Sequence, residues 1–199
     1  MIWKFTDNKS RDSIEQQFDW ARNMNEVPQD KLYHAEGNVA VHTWKVIEEL
    51  QQLPAYSDLG GQDKEILWTA ALLHDVEKRS ATVVESDGRI TARGHARKGE
   101  YTVRTLLYRD LPTPFAISEK IASLVRFHGL PLWLLEKTDP VRKIAEVAFR
   151  LDTSQLRMLA EADIRGRICQ DREELLESLD LFELFCREQG CWKKSREFT

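Results

Sequence analysis

Ile66-Leu67-Trp68-Thr69-Ala70-Ala71-Leu72-Leu73-His74-Asp75-Val76-Glu77-Lys78 is the stretch whose reading decides the fold. Leu67, Ala70, Ala71 and His74 recur at three- and four-residue spacing, which places them on one stripe of a helix. Asp75 shares the face of Leu67 and Ala71. The segment therefore predicts a core helix over 62–78 that sets an imidazole and a carboxylate where leucines would be expected. Its apolar part is far too short to span a bilayer.

Outward from this segment, helical periodicity continues along the chain. It predicts further helices over 10–24, 37–52, 94–109, 114–128, 139–152, 153–168 and 171–189. Pro54, Gly60-Gly61, Gly94, Pro112, Pro114, Gly129 and Asp139-Pro140 fall between them. Asp152-Thr153-Ser154 offers capping oxygens to the helix that follows. One segment differs. Thr82 to Thr91 carries β-branched residues on both sides of Asp87-Gly88, a two-residue hairpin signal, so a small ribbon is expected there. Trp192-Lys193-Lys194-Ser195-Arg196 reads as a polar tail.

The 199 residues fit one domain, 1–199, with a real core. A net charge of −4 argues against holding nucleic acid by global attraction, so any phosphate contact must come from a local basic patch. Cys169, Cys186 and Cys191 have no CxxC spacing and form an odd set, which fits reduced thiols. The first residues turn polar at once, with no signal-peptide core. A cytoplasmic location and no membrane partner are the expectations.

Four of the five histidines lie on the apolar stripes of four different helices. His42 continues the face of Val39 and Val46. His74 ends its stripe, His95 opens a helix whose inner face runs through Thr102, Val103 and Leu106, and His128 closes the run Ile117, Ile121, Leu124, Val125. Asp163 shares a face with Leu156, Leu159 and Ala160. A single histidine on an apolar face is ordinarily a hydrogen-bonded core residue. A buried unpaired carboxylate, however, costs on the order of several kcal/mol, and buried charges are usually paired or bound to metal. Six inward polar groups on five predicted helices are explained together by a metal centre. Nitrogen ligands favour Mn, Fe, Co, Ni, Cu or Zn over Mg. More than four ligands around an adjacent His-Asp pair point to two ions bridged by Asp75, which would hold a hydroxide and polarise a phosphoryl oxygen.

His42-Thr43, Ala71-Leu72-Leu73-His74-Asp75-Val76-Glu77-Lys78, Gly94-His95, Phe127-His128-Gly129 and Glu161-Ala162-Asp163-Ile164-Arg165-Gly166-Arg167, in that order, resemble the HD phosphohydrolase pattern. The resemblance implies an all-α fold, an HD-domain helical bundle with a ribbon or loop excursion near 82–92. It implies one metal on His42, His74, Asp75 and Asp163 and a second on His95 and His128 sharing Asp75. The ions would be divalent transition metals such as Mn, Ni, Co, Cu or Zn. His34-Ala35-Glu36-Gly37-Asn38-Val39 and the segment around Asp163 are similar to the HD domain of bacterial CCA-adding tRNA nucleotidyltransferases. Over nearly the whole chain the sequence is similar to the N-terminal phosphoesterase module of bacterial HD-domain polynucleotide phosphatase-kinases. That similarity implies RNA 2′,3′-phosphate ends as partner and a following P-loop kinase domain in a longer protein. No GxxxxGK[ST] occurs here, so the chain is expected to be the isolated phosphoesterase part. Glu77 departs from the small residue found in many relatives, and could face the site or turn outward.

Between Lys78 and Lys98 the cations Lys78, Arg79, Arg89, Arg93, Arg97 and Lys98 meet only Glu85 and Asp87. Arg89 and Arg93 are as readily a solvated loop face. Lys78, one turn after His74, and Arg165, two residues after Asp163, resemble the family's phosphate contacts and suit charge stabilisation in phosphoryl transfer. The catalytic set expected is thus His74, Asp75, Lys78 and Arg165. Arg79, Ser80, Arg97 and Lys98 would position the RNA end, and His34 is a candidate proton donor with a structural role equally open. Trp133 is a candidate for the mouth of the site, while Trp20, Trp44 and Trp68 read as packing.

Three functions compete: the RNA-end phosphoesterase, an HD nucleotidase acting on free mononucleotides in a closed pocket, and a non-catalytic nucleotide sensor. Sensors often lose metal ligands, and none is missing here.

Overall fold

A computed structural model describes residues 1–192. Within them the regular structure is helical except for one ribbon. Helices α1 (Arg11–Gln17) and α2 (Asp19–Asn23) split the first expected helix at Phe18, whose extended backbone cannot continue it. Next come α3 (Val39–Gln52), α4 (Pro54–Ser57) and α5 (Gly61–Leu73), then a single turn, α6 (Lys78–Ala81). The ribbon β1 (Val83–Val84) and β2 (Ile90–Thr91) follows. The rest is α7 (His95–Thr105) with a π turn over Leu106–Asp110, α8 (Phe115–Phe127), α9 (Leu130–Trp133), α10 (Pro140–Arg150), α11 (Thr153–Gly166) and α12 (Arg172–Glu188).

The all-α architecture is as expected. Asn38 caps α3 by accepting from the Val41 N–H, and Asp152 caps α11 by accepting from the Ser154 N–H. In the ribbon Val84 pairs with Ile90 and Val83 with Thr91, antiparallel. The hairpin turn is longer than the two residues expected. Ser86, Asp87 and Gly88 form the loop, with Gly88 alone at positive φ, 84°. The Glu85 N–H donates to the Arg89 carbonyl across the loop. A three-residue loop needs only one left-handed residue, and glycine supplies it.

Helix α5 is buried on all sides from Ile66 to Leu73 and forms the axis around which α3, α8 and α11 pack. Leu67, Trp68, Leu72 and Leu73 are at most 1% exposed. Each such side chain contributes roughly 1.5–3 kcal/mol of burial. Trp20 is also buried and Trp44 packs against the core. Trp192 is not tail: it lies against the core with the Arg187 guanidinium 4.8 Å from its ring. The remainder of the expected polar tail, from Lys193 on, lies outside the described residues. Among the described residues no helix is long and apolar enough to cross a membrane.

The expected helix over 62–78 is broken at the residues that matter most. It ends at Leu73, and His74 to Glu77 form a tighter turn in which the Val76 N–H donates to the Leu73 carbonyl and the Lys78 N–H to that of Asp75. From this turn the His74 ring and the Asp75 carboxylate come within 3.2 Å of each other.

Candidate metal centre

Helices α3, α5, α8 and α11 and the start of α7 converge on Asp75. Its carboxylate is divided between two triads: His42, His74 and Asp75 on one side, and Asp75, His95 and His128 on the other. Asp75 Oδ2 lies 3.2 Å from His74 Nε2 and 3.8 Å from His42 Nε2. Asp75 Oδ1 lies 3.2 Å from His95 Nε2 and 3.9 Å from His128 Nε2, and those two nitrogens are 3.4 Å apart. Asp163 Oδ1 closes the first group at 3.0 Å from His42 Nε2. The centre is buried, with only His95 partly open.

Three of the four imidazoles are hydrogen-bonded through their other nitrogen. Nδ1 of His74 donates to the Ala71 carbonyl at 2.7 Å, Nδ1 of His95 to that of Ala92 at 2.7 Å, and Nδ1 of His128 to that of Val125 at 2.8 Å. A carbonyl only accepts, so each of these rings carries a proton on Nδ1 and turns Nε2 inward. In His42 the corresponding nitrogen lies 2.8 Å from Glu36 Oε1. Such anchoring fixes a ligand's tautomer and orientation.

These residues suit divalent cations. His74 Nε2 and Asp75 Oδ1 are buried without a hydrogen-bond partner among the described residues. Donor atoms about 2.1 Å from one ion sit about 3–3.4 Å apart, close to the shorter separations here. Burial disfavours a charged His74, yet the carboxylates of Asp75 and Asp163 outweigh it and hold its pKa above the ordinary value. Burial likewise opposes ionised Asp75 and Asp163, but His74 and Lys78 for the first, and Arg167 and His42 for the second, hold both well below the carboxylate range. His128, by contrast, is pushed down to about 3, chiefly by burial, and is neutral as a ligand must be. Two buried carboxylates call for positive charge at the centre of the site.

The expected phosphate contacts are placed unequally. Lys78 reaches the centre, its ammonium 2.8 Å from Asp75 Oδ2 and donating to Gln29 Oε1 at 2.6 Å. Arg165 does not: on α11 a spacing of two residues from Asp163 turns it to another face, where it pairs with Glu161 at 2.8 Å. Arg167 stands where Arg165 was expected, forked onto Asp163 through Nε at 3.1 Å and Nη2 at 2.5 Å. The signal was available, since the i,i+4 spacing is the one that brings side chains together.

Arg79 and Ser80 are drawn to Glu77, both donating to its carboxylate, and Arg97 and Lys98 are exposed on α7, with Lys98 Nζ 3.3 Å from the Ser80 carbonyl. None of the four lines the cleft at the centre. Glu77 itself is buried facing α7, where it accepts from Thr102 Oγ1 at 2.8 Å. Arg89 pairs with Asp87 in the exposed ribbon turn. His34 reaches the cleft with its Nδ1 2.9 Å from Glu36 Oε1, and burial lowers its pKa to about 4. It is thus neutral at neutral pH, which does not suit it as a proton donor. Glu36 and Gln29 sit in loops where no periodicity marks them. The cleft, about 350 Å³, opens from Gln29, His34, Lys78, His95 and Arg167 to the exposed ring of Trp133.

Comparison with known proteins agrees with this geometry. The HD domain family matches residues 39–162, a span that contains His42, His74, Asp75, His95 and His128 and ends one residue before Asp163. The chain is also 30% identical over 152 residues to a "Multifunctional CCA protein" of Nitrosococcus oceani. The match takes in 71% of this chain and 33% of that protein, so the chain spans at most about half the relative's length. With its ordered ligands gathered at one buried centre, the chain belongs to the HD domain family and is in general terms a metal-dependent phosphohydrolase.

Proposed function

We propose that the protein hydrolyses 2′,3′-cyclic phosphate and terminal 2′- or 3′-phosphate at RNA ends. The observation that carries this reading is the open cleft in which Lys78 and Arg167, each ion-paired to an aspartate of the metal centre, stand beside His95 and an exposed tryptophan. The metals would be held by His42, His74, Asp75 and Asp163, and by Asp75, His95 and His128. Divalent ions bound there supply Lewis acidity toward a phosphoryl oxygen and acidify water.

The chain's own residues do the rest. Lys78, fixed between Asp75 and Gln29, presents a positive charge where charge grows on the phosphoryl group. Arg167 holds Asp163 in place and lends a guanidinium to the cleft wall. Neutral His34, oriented by Glu36, can accept a hydrogen bond at the rim. With a cyclic phosphate, one water adds, one P–O bond breaks, and a phosphomonoester and a ribose hydroxyl remain. With a terminal monoester the products are inorganic phosphate and a hydroxyl.

The resemblance to HD phosphoesterase modules acting on 2′,3′-phosphorylated ends supports this choice, and so does the openness of the cleft, which suits a chain end better than an enclosed mononucleotide. Purified protein with Mn, Ni or Co would be offered RNA ending in 2′,3′-cyclic phosphate beside free 2′,3′-cyclic mononucleotides. Preference for the RNA is expected, and preference for the mononucleotides overturns the reading.

A further inference from the structure

A second cleft, of about 380 Å³, opens on the far side of His95. It shares His95 and Trp133 with the first and also reaches His128, so both clefts meet at one half of the metal centre. Their linings differ. The first contains Asp30 and Asp171, whereas no carboxylate lines the second, whose charged wall is Arg126, Lys137 and Lys143. These cations come from α8, the loop after α9, and α10.

The chemistry behind this wall keeps it positive. Arg126 and Lys143 both lie over the Phe127 ring, at 5.3 and 5.1 Å. The carboxylate nearest Arg126 is Glu100, at 3.4 Å, but Glu100 is also claimed by Arg104 at 3.0 Å and Arg150 at 2.5 Å. Lys143 has Glu146 at 2.9 Å, and Lys137 is exposed. In a chain of net charge −4 this is a local basic channel ending at a phosphate-hydrolysing centre. A mononucleotide brings its phosphate to that centre and leaves such cations unused. A strand brings further phosphates behind the one that reacts.

We propose that this second cleft carries the phosphodiester backbone of single-stranded RNA leading to the reacting end, with Trp133, 47% exposed on the ridge between the clefts, stacking on a base. The proposal rests on the phosphoesterase reading above and names what lets the site prefer a polynucleotide.

The test compares the wild-type protein with Lys137→Glu/Lys143→Glu and with the milder Lys137→Ala/Lys143→Ala, each checked for helical content and melting. Two readings are taken: kcat/KM with Mn on an RNA oligonucleotide ending in 2′,3′-cyclic phosphate and on a 2′,3′-cyclic mononucleotide, and the affinity of a fluorescent 3′-hydroxyl oligonucleotide by anisotropy across a salt series. The reversal is expected to lower oligonucleotide kcat/KM by about tenfold with the mononucleotide value held within about twofold. It should also flatten the salt dependence by about 0.7 in log–log slope for each phosphate that the protein no longer neutralises. Equal losses on both substrates, or an unchanged oligonucleotide value, overturn the strand path. If the wild-type protein hydrolyses neither substrate, the activity reading fails by itself, and the anisotropy still decides: affinity unchanged by the reversal removes the proposal.

Discussion

Glu36 Oε1 lies 2.8 Å from His42 Nδ1, on the side of the ring opposite the Nε2 that faces Asp163. The same oxygen is 2.9 Å from His34 Nδ1, and the other accepts from the Ile168 N–H at 2.8 Å. A carboxylate so placed makes His42 a stronger ligand and links the loop before α3 to the end of α11. Glu36→Gln keeps the shape and removes the charge. Metal affinity, read by calorimetry, is expected to fall by about 10–100-fold in a protein that remains folded.

His74 and Asp75 supply the group shared by both triads and its neighbour. His74→Ala or Asp75→Ala is expected to abolish phosphate release while circular dichroism still reports a helical protein. Full activity in both variants would refute the site.

Arg165 and Arg167 make a matched pair. Arg165→Ala removes a half-exposed ion pair to Glu161, which contributes about 0–1 kcal/mol, and kcat/KM should stay near wild type. Arg167→Ala strips the fork from buried Asp163 and is expected to lower both kcat/KM and metal affinity at least about tenfold. The reverse ranking in steady-state kinetics would return Arg165 to the site.

Helices α3 and α11 touch backbone to backbone at Gly166. A Cβ there would stand 2.9 Å from Val46 Cγ2 and 3.0 Å from the Val46 nitrogen. His42 lies one turn before Val46 and Asp163 one turn before Gly166, so this close approach sets the distance between two ligands. Gly166→Ala should cost about 1–3 kcal/mol in urea unfolding and weaken metal binding together with it.

Asp152 gives a pH test away from the metal. Burial, outweighing its hydrogen bonds from Ser154, raises its pKa above the ordinary 3.8. The folded state therefore favours its protonated form. That contribution to stability is full below the unfolded pKa and is lost as pH rises through the higher folded value. Asp152→Asn keeps the cap acceptor without the charge, so it should match or exceed wild-type stability at pH 7 and lose that advantage in acid. Asp152→Ala should cost about 1 kcal/mol at both. Denaturant midpoints at the two pH values decide it.

The sequence showed the helices and the inward polar groups well, because period 3.6 with a histidine or aspartate on the apolar stripe is a strong pattern. His42, His95, His128 and Asp163 were legible in this way. The break at His74 was not, since residues 62–78 keep helical periodicity through it. Arg167 carries its own signal, the i,i+4 spacing from Asp163, whereas the two-residue spacing of Arg165 turns it to another face. Gln29 and Glu36 lie in loops, where side-chain direction depends on tertiary packing and periodicity has no voice. The π turn at Leu106–Asp110 carried no sequence signal either.

Three of the imidazoles lean on peptide carbonyls, of Ala71, Ala92 and Val125. Such acceptors arrive with the main chain, and no side-chain substitution deletes them. The aim of these rings is thus inherited from the main chain, ready before any ion enters. Side-chain substitutions around the centre can therefore retune its surroundings without re-aiming these three ligands.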